Sequence, residues 1–95
     1  MTIEGFHGDG EPEWGPLEAI LPPEDCRPFM YMGWLELGDR RLHHYKHEIT
    51  RRYVFITDLL ETYRYLGGYV FVPQKRKFAI RYASAEPLRR TRRRP

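Results

Sequence analysis

An α+β fold is predicted by this 95-residue sequence: a small single domain, an antiparallel sheet of about four or five strands, and one short helix. Three observations carry that reading. Aromatic and β-branched residues cluster in short runs, "FMYMGWLEL", "RRYVFIT", "YVFVP" and "FAIRYAS", as strands require. Gly38-Asp39 sits between two such stretches, and glycine in the first central position is a type II′ hairpin signal. "DLLETYRYLGG" carries helix punctuation, with Asp58 three residues before Glu61 as a capping box and Gly67 as a left-handed stop.

Taken in order, residues 1–27 read as an irregular acidic arm rich in proline and glycine. "HGDGEPEWGP" and "LPPEDCRP" are turn and extended-chain chemistry. Between them "PLEAIL" suits one helical turn with Pro16 at its first position, and Trp14, Leu17, Ile20 and Leu21 are its anchors onto the body. Residues 28–86 form the α+β core domain. Strict alternation along "FMYMGWLEL" puts Phe29, Tyr31, Gly33, Leu35 and Leu37 on one face and Met30, Met32, Trp34 and Glu36 on the other. Apolar residues on both sides predict a strand covered twice. "RRLHHYKH" returns antiparallel, with His43, Tyr45 and His47 opposite Leu42, His44 and Lys46. "RRYVFIT" is the next strand. The helix follows over 58–67, with Leu59, Leu60, Tyr63 and Leu66 on one side, then the strands "YVFVP" and "FAIRYAS" joined by "QKRK". Residues 87–95 read as a flexible arginine-rich tail.

A competing pattern runs through the middle. Leu42, Tyr45, Ile49, Tyr53, Ile56, Leu60, Tyr63 and Leu66 recur at steps of three and four, as on one amphipathic helix from Asp39 to Leu66. The β-branched and aromatic run 53–57 argues against it, as do Val54 and Phe55, which fall off the stripe. The sheet is the favoured reading.

Composition bounds the function classes. No apolar run approaches the roughly 18 residues that a helical membrane span needs, and the N-terminus lacks a basic segment followed by an apolar one. A single Cys26 excludes an internal disulfide and agrees with a cytoplasmic location. The net charge of +3 conceals a gradient: −7 over residues 1–26, +2 over 27–73 and +8 over 74–95. A basic end of this density attracts polyanions, since each Lys or Arg that meets a phosphate releases counterions.

The densest cluster of chemistry-bearing side chains is "RLHHYKHEITRRY". His43 and His47 have the spacing of a zinc pair, yet His7, Cys26 and Glu48 stand at no supporting distance, so no metal site is expected. Metal-independent cleavage of RNA needs a proton acceptor, a proton donor and a cation for the phosphate. His43, His47 and Lys46, with His44, Tyr45, Arg51 and Arg52, are weak candidates for those roles. The plainer interpretation is a polar strand face of surface histidines with cations lying over aromatic rings. Over residues 80–93, "IRYASAEPLRRTRR" resembles the last strand and tail of BrnT-type ribonuclease toxins at Ile80, Arg81, Ser84 and Ala85. The N-terminus and middle do not match that family, and no catalytic residue is carried over.

Bases interleaved with rings recur as Arg52-Tyr53, Tyr63-Arg64-Tyr65, Arg76-Lys77-Phe78 and Arg81-Tyr82. Stacking rings beside phosphate-binding cations are what single-strand binding uses. The function expected is therefore nucleic-acid binding, to RNA or DNA, mainly through the phosphate backbone. The residues expected to carry it are Arg51, Arg52, Lys75, Arg76, Lys77 and Arg81, with Arg89, Arg90, Arg92, Arg93 and Arg94 in the tail. Catalysis is not the expectation, and neither a cofactor nor a membrane partner is implied. The alternative is a protein–protein adaptor or inhibitor built on the aromatic sheet, including a homodimer, because Tyr, Trp, Met and Arg are enriched at interface centres. A ribonuclease ranks third.

Overall fold

Strands that follow one another in the chain also lie side by side in the sheet. The computed structural model describes residues 11–68 and 70–84. Their elements run α1 (Gly15–Ile20), α2 (Pro23–Cys26), β1 (Phe29–Leu37), β2 (Arg40–His47), β3 (Tyr53–Thr57), β4 (Thr62–Gly67), β5 (Val70–Pro73) and α3 (Arg76–Ser84). The five strands form one antiparallel meander in the order β1-β2-β3-β4-β5. The fold is a small α+β domain.

The β1–β2 hairpin turns through Gly38 and Asp39, between paired Leu37 and Arg40. Gly38 has φ +63°, the value a type II′ turn places at its first central residue. The facing of β1 differs from strict alternation. The register shifts between Tyr31 and Gly33, so Tyr31 pairs with Tyr45 while Trp34 pairs with His43. Met32 is the extra residue of a β-bulge, and Gly33 at φ +112° accommodates the kink. Tyr31 and Trp34 therefore share a face with Tyr45 and His43, and Gly33 and Leu35 share the other with His44 and Leu42.

Two expected elements exchange character. Residues 62–67 are a strand, not part of a helix, and 76–84 are a helix, not a strand. Where the helix was expected to begin, the chain makes a tight turn. Leu60 N–H donates to the Thr57 carbonyl at 2.9 Å, and Leu60 then adopts φ +67°, which ends any right-handed helix. The Thr57 hydroxyl fixes the turn by accepting from the Glu61 N–H at 3.0 Å and donating to the Glu61 carboxylate at 3.1 Å. Beyond it Thr62-Tyr63-Arg64-Tyr65 alternates as a strand. In α3, Ala79 and Ala83 stand four apart on a buried stripe, and alanine is the strongest helix former. That spacing outweighs the β-prone Phe78, Ile80 and Tyr82. The single helix over 39–66 is likewise replaced by β2, β3 and β4. "LPPEDC" contains the short α2 rather than wholly extended chain.

Helices cover one face of the sheet. Leu17 of α1, Cys26 of α2 and Ala79 and Ala83 of α3 close over Phe29, Tyr45, Val54 and Ile56, with Trp14, Ile20, Leu21 and Tyr31 at the margin. The anchors expected in "WGPLEAIL" are thus in place. Tyr45 is fully buried and its hydroxyl donates to the Glu13 carbonyl at 2.6 Å, which ties the N-terminal segment to the sheet.

The opposite face curls on itself. Strands in a flat sheet lie about 4.8 Å apart, so β2 and β5 would be separated by about 14 Å. Yet the Phe71 ring on β5 lies 6.4 Å from His44 on β2 and 5.2 Å from Phe55 on β3. Leu35, Leu42, His44 and Thr57 are buried within this hollow.

Candidate nucleic-acid interface

The meander has one weak seam. The β3–β4 ladder joins only Phe55 with Tyr63 and Ile56 with Thr62. Toward Tyr53 on one strand and Tyr65 on the other, the strands diverge. The gap is a cleft of about 500 Å³ lined by Arg51, Arg52, Tyr53, Phe55, Tyr63, Arg64, Tyr65, Gln74 and Tyr82. Tyr53, Phe55, Tyr63 and Tyr65 belong to the face away from the helices by strand alternation. Arg64 and Tyr82 reach the gap from the helical side.

Local structure fixes each wall. The β2–β3 loop carries Arg51 at φ +64°. His47 holds that loop by accepting from the Ile49 and Thr50 N–H groups through Nδ1, both at 3.2 Å. Thr50 then donates its hydroxyl to the Ala83 carbonyl at 2.5 Å, joining the loop to the end of α3. Arg52 completes the junction. Its guanidinium lies 4.8 Å from the Tyr82 ring centre and donates to the Tyr82 carbonyl at 3.1 Å. On the strand wall, Tyr53 and Phe55 stand side by side with centroids 5.6 Å apart and planes 7° from parallel. Tyr65 lies 6.3 Å from Phe55 and 4.9 Å from Phe71. Lys46 Nζ lies 5.6 Å from the Tyr53 ring centre and adds a cation beside this wall.

The electrostatics are one-sided. Among the described residues no carboxylate lines the cleft, and Arg51, Arg52 and Arg64 form no ion pair. The contrast lies at the other end of β2. There Arg40 is held by Asp39 at 2.6 Å and Glu61 at 2.7 Å, and Arg41 by Glu13 at 3.4 Å. Acidic partners neutralise that end and leave the cleft basic.

The expected site residues separate into groups. Arg51 and Arg52 line the cleft. Lys75, Arg76, Lys77 and Arg81 are exposed, Lys75 in the β5–α3 connection and the others on α3. Lys77 and Arg81 lie over the Phe78 ring at 5.3 Å and 5.8 Å. Arg89, Arg90, Arg92, Arg93 and Arg94 lie outside the described residues, as do Glu4 and Asp9 of the acidic arm. Arg64, Gln74 and the four tyrosines were missing from the expected site. Tyr63-Arg64-Tyr65 was the signal for three of them, and it was obscured by assigning that stretch to a helix.

His43, His44 and His47 are not surface groups. His43 is 1% exposed, His44 7% and His47 6%. His43 Nδ1 is 2.9 Å from the Tyr31 hydroxyl, and burial holds its pKa below the usual histidine range. His44 packs edge-on against Phe55, and burial, with a smaller effect of His43, lowers its pKa to about 4. Burial also raises the Tyr31 hydroxyl to about 12. None of the three histidines lines the cleft, so they do not meet Arg51 and Arg52 as an acid–base set. Among the described residues, no three His, Cys, Asp or Glu side chains are grouped to hold a metal, and no helix is long and apolar enough to cross a membrane.

No family model, curated protein or solved structure matches this chain.

Proposed function

We propose that the protein binds nucleic acid, RNA or DNA, chiefly through the phosphate backbone, with the β3–β4 cleft as its contact surface. The observation that carries this reading is the convergence of Arg51, Arg52 and Arg64 with four tyrosines in a recess that no carboxylate among the described residues lines. Arginine presents a planar fork of donors to phosphate oxygens, and tyrosine presents a flat apolar surface to a base or sugar. Lys75, Arg76, Lys77 and Arg81 extend the positive surface along α3. The chain leaves α3 at Ser84, two residues past Tyr82, and continues in sequence to Arg89–Arg94.

The test is titration of fluorescent oligonucleotides at several salt concentrations. Arg51→Ala with Arg64→Ala removes two exposed cations without touching the Arg52–Tyr82 junction. The double variant is expected to bind at least about tenfold more weakly. Its slope of log affinity against log salt is expected to be shallower by about 1.4, at roughly 0.7 per lost phosphate contact on a single strand. Unchanged affinity and slope would remove the cleft from the interaction.

A second reading, a protein-binding adaptor or a homodimer, has its own observation. Leu66 near the end of β4 and Val70 at the start of β5 are about half exposed, and β1 is an outer strand of the sheet. Such features attract a partner chain. Growth of molecular size with concentration, retained after deletion of 87–95, would favour this reading over the first.

A further inference from the structure

We propose that the cleft seats an unpaired base of a single strand and that Gln74 reads the edge of that base, with adenine preferred. This rests on the cleft being the nucleic-acid surface. It adds which form of nucleic acid enters and which residue discriminates.

The size of the recess favours a single strand over a duplex. A cleft of about 500 Å³ has the size of a small-molecule pocket and suits a nucleotide or two. A double helix buries the faces of its bases and offers a recess of this size only its backbone. The cleft walls are largely ring surface: Tyr53, Phe55, Tyr63 and Tyr65 on the strands and Tyr82 on α3. Ring surface is used only if a base is unstacked and inserted. Tyr82 is 55% exposed with the Arg52 guanidinium over its ring, so a base that enters meets ring surface and a cation together.

Edge reading needs a donor and an acceptor held side by side. Arginine only donates, and a tyrosine hydroxyl is a single rotor. Among the lining residues, Gln74 alone has a carboxamide. Its backbone is fixed twice to β4: its N–H donates to the Thr62 carbonyl at 2.9 Å, and its carbonyl accepts from the Thr62 hydroxyl at 2.6 Å. The side chain therefore starts from a position set by the same strand that supplies Tyr63, Arg64 and Tyr65. A carboxamide pairs bidentately with adjacent donor and acceptor atoms, and adenine is its usual partner in nucleic-acid recognition. The edge read is N6 and N7 of adenine; on the corresponding edge guanine offers two neighbouring acceptors, the partner of arginine, and cytosine a donor alone.

The experiment compares full-length protein with its Gln74→Ala and Gln74→Glu variants on adenine, cytosine and thymine homopolymer single strands and on a duplex of equal length. Wild-type protein is expected to prefer the adenine strand by about tenfold, within the range of one bidentate contact. It is also expected to bind the duplex more weakly than any single strand. Gln74→Ala should bring the adenine strand down to the level of thymine while leaving thymine affinity within about twofold, because phosphate contacts remain. Gln74→Glu, nearly identical in shape, should lose the preference by setting a carboxylate against the ring nitrogen acceptor. A melting temperature equal to wild type in either variant separates loss of reading from loss of fold. Equal wild-type affinity for the three homopolymers, or a preference that survives both substitutions, overturns Gln74 as reader. Duplex binding as tight as single-strand binding overturns the unpaired base. Absence of binding to every strand at low salt would instead remove the nucleic-acid reading on which the inference stands.

Discussion

Acidification from neutral pH to about pH 4 is expected to cost the fold about 3 kcal/mol through His44 alone. Its pKa falls from 6.5 to about 4 in the folded protein because the imidazole is buried, with His43 as a further, like-charged neighbour. Each pKa unit corresponds to about 1.4 kcal/mol. The direction follows from proton counting. Between pH 6.5 and 4 the unfolded chain binds the proton and the folded chain does not, so stability falls as protons become available. The contribution is fully present above 6.5 and is lost as pH drops through 4. His43 acts in the same direction, since its pKa is also lowered by burial. Urea unfolding at stepped pH measures the slope. His44→Leu removes the titrating group and keeps an apolar side chain against Phe55 and Phe71, so the slope between 6.5 and 4.5 should flatten markedly relative to wild type. An unchanged slope would show that His44 titrates normally and that the hollow is open to water.

Tyr45→Ala is expected to destabilise the protein by about 3–5 kcal/mol, the range for truncating a buried aromatic. Tyr45 is 0% exposed and lies within 5.4 Å of Tyr31 and 5.7 Å of Trp14, ring centre to ring centre. It is also the point where the N-terminal segment is bonded to the sheet, through the Glu13 carbonyl. Tyr45→Phe keeps the ring and removes only the hydroxyl, for a cost of about 1 kcal/mol. Chemical denaturation of the two variants separates packing from hydrogen bonding. A loss below about 1 kcal/mol for Tyr45→Ala would mean that the N-terminal segment does not close the core.

What could be read from the chain alone depended on how local the determinants were. Gly38-Asp39 specifies its hairpin within four residues, and the structure has that hairpin. "RRYVFIT" contains enough β-branched and aromatic residues to be a strand in most surroundings. The stretch 58–67 was harder. Its helical spacing and its cap-like Asp58 and Glu61 are real features of the sequence, but Glu61 bonds Thr57 and Arg40 rather than capping a helix. "FAIRYAS" has the reverse problem: its rings favour a strand, while its two alanines need a helix to face Ile56 and Val54. Both assignments turn on packing between distant parts of the chain, which local propensity does not contain. The bulge at Met32 reversed the facing of Trp34 for the same reason. Charge alone singles out Arg51 and Arg52, which line the cleft. Arg64 and Gln74 required knowing that β4 is a strand and where it parts from β3.

The short β3–β4 ladder bears on motion as well as on binding. Cooperative opening units in proteins tend to follow supersecondary boundaries, and the least-bonded boundary opens at lowest free energy. Here that boundary isolates the β4–β5 hairpin from the β1–β2–β3 block, leaving the turn at Thr57–Glu61 as its covalent hinge. Amide hydrogens of β4 and β5 are expected to exchange with solvent well before those of β2 in native-state hydrogen exchange, and uniform protection across the sheet would deny the two parts their independence. The width of the seam is then the coordinate along which this small protein is expected to open first.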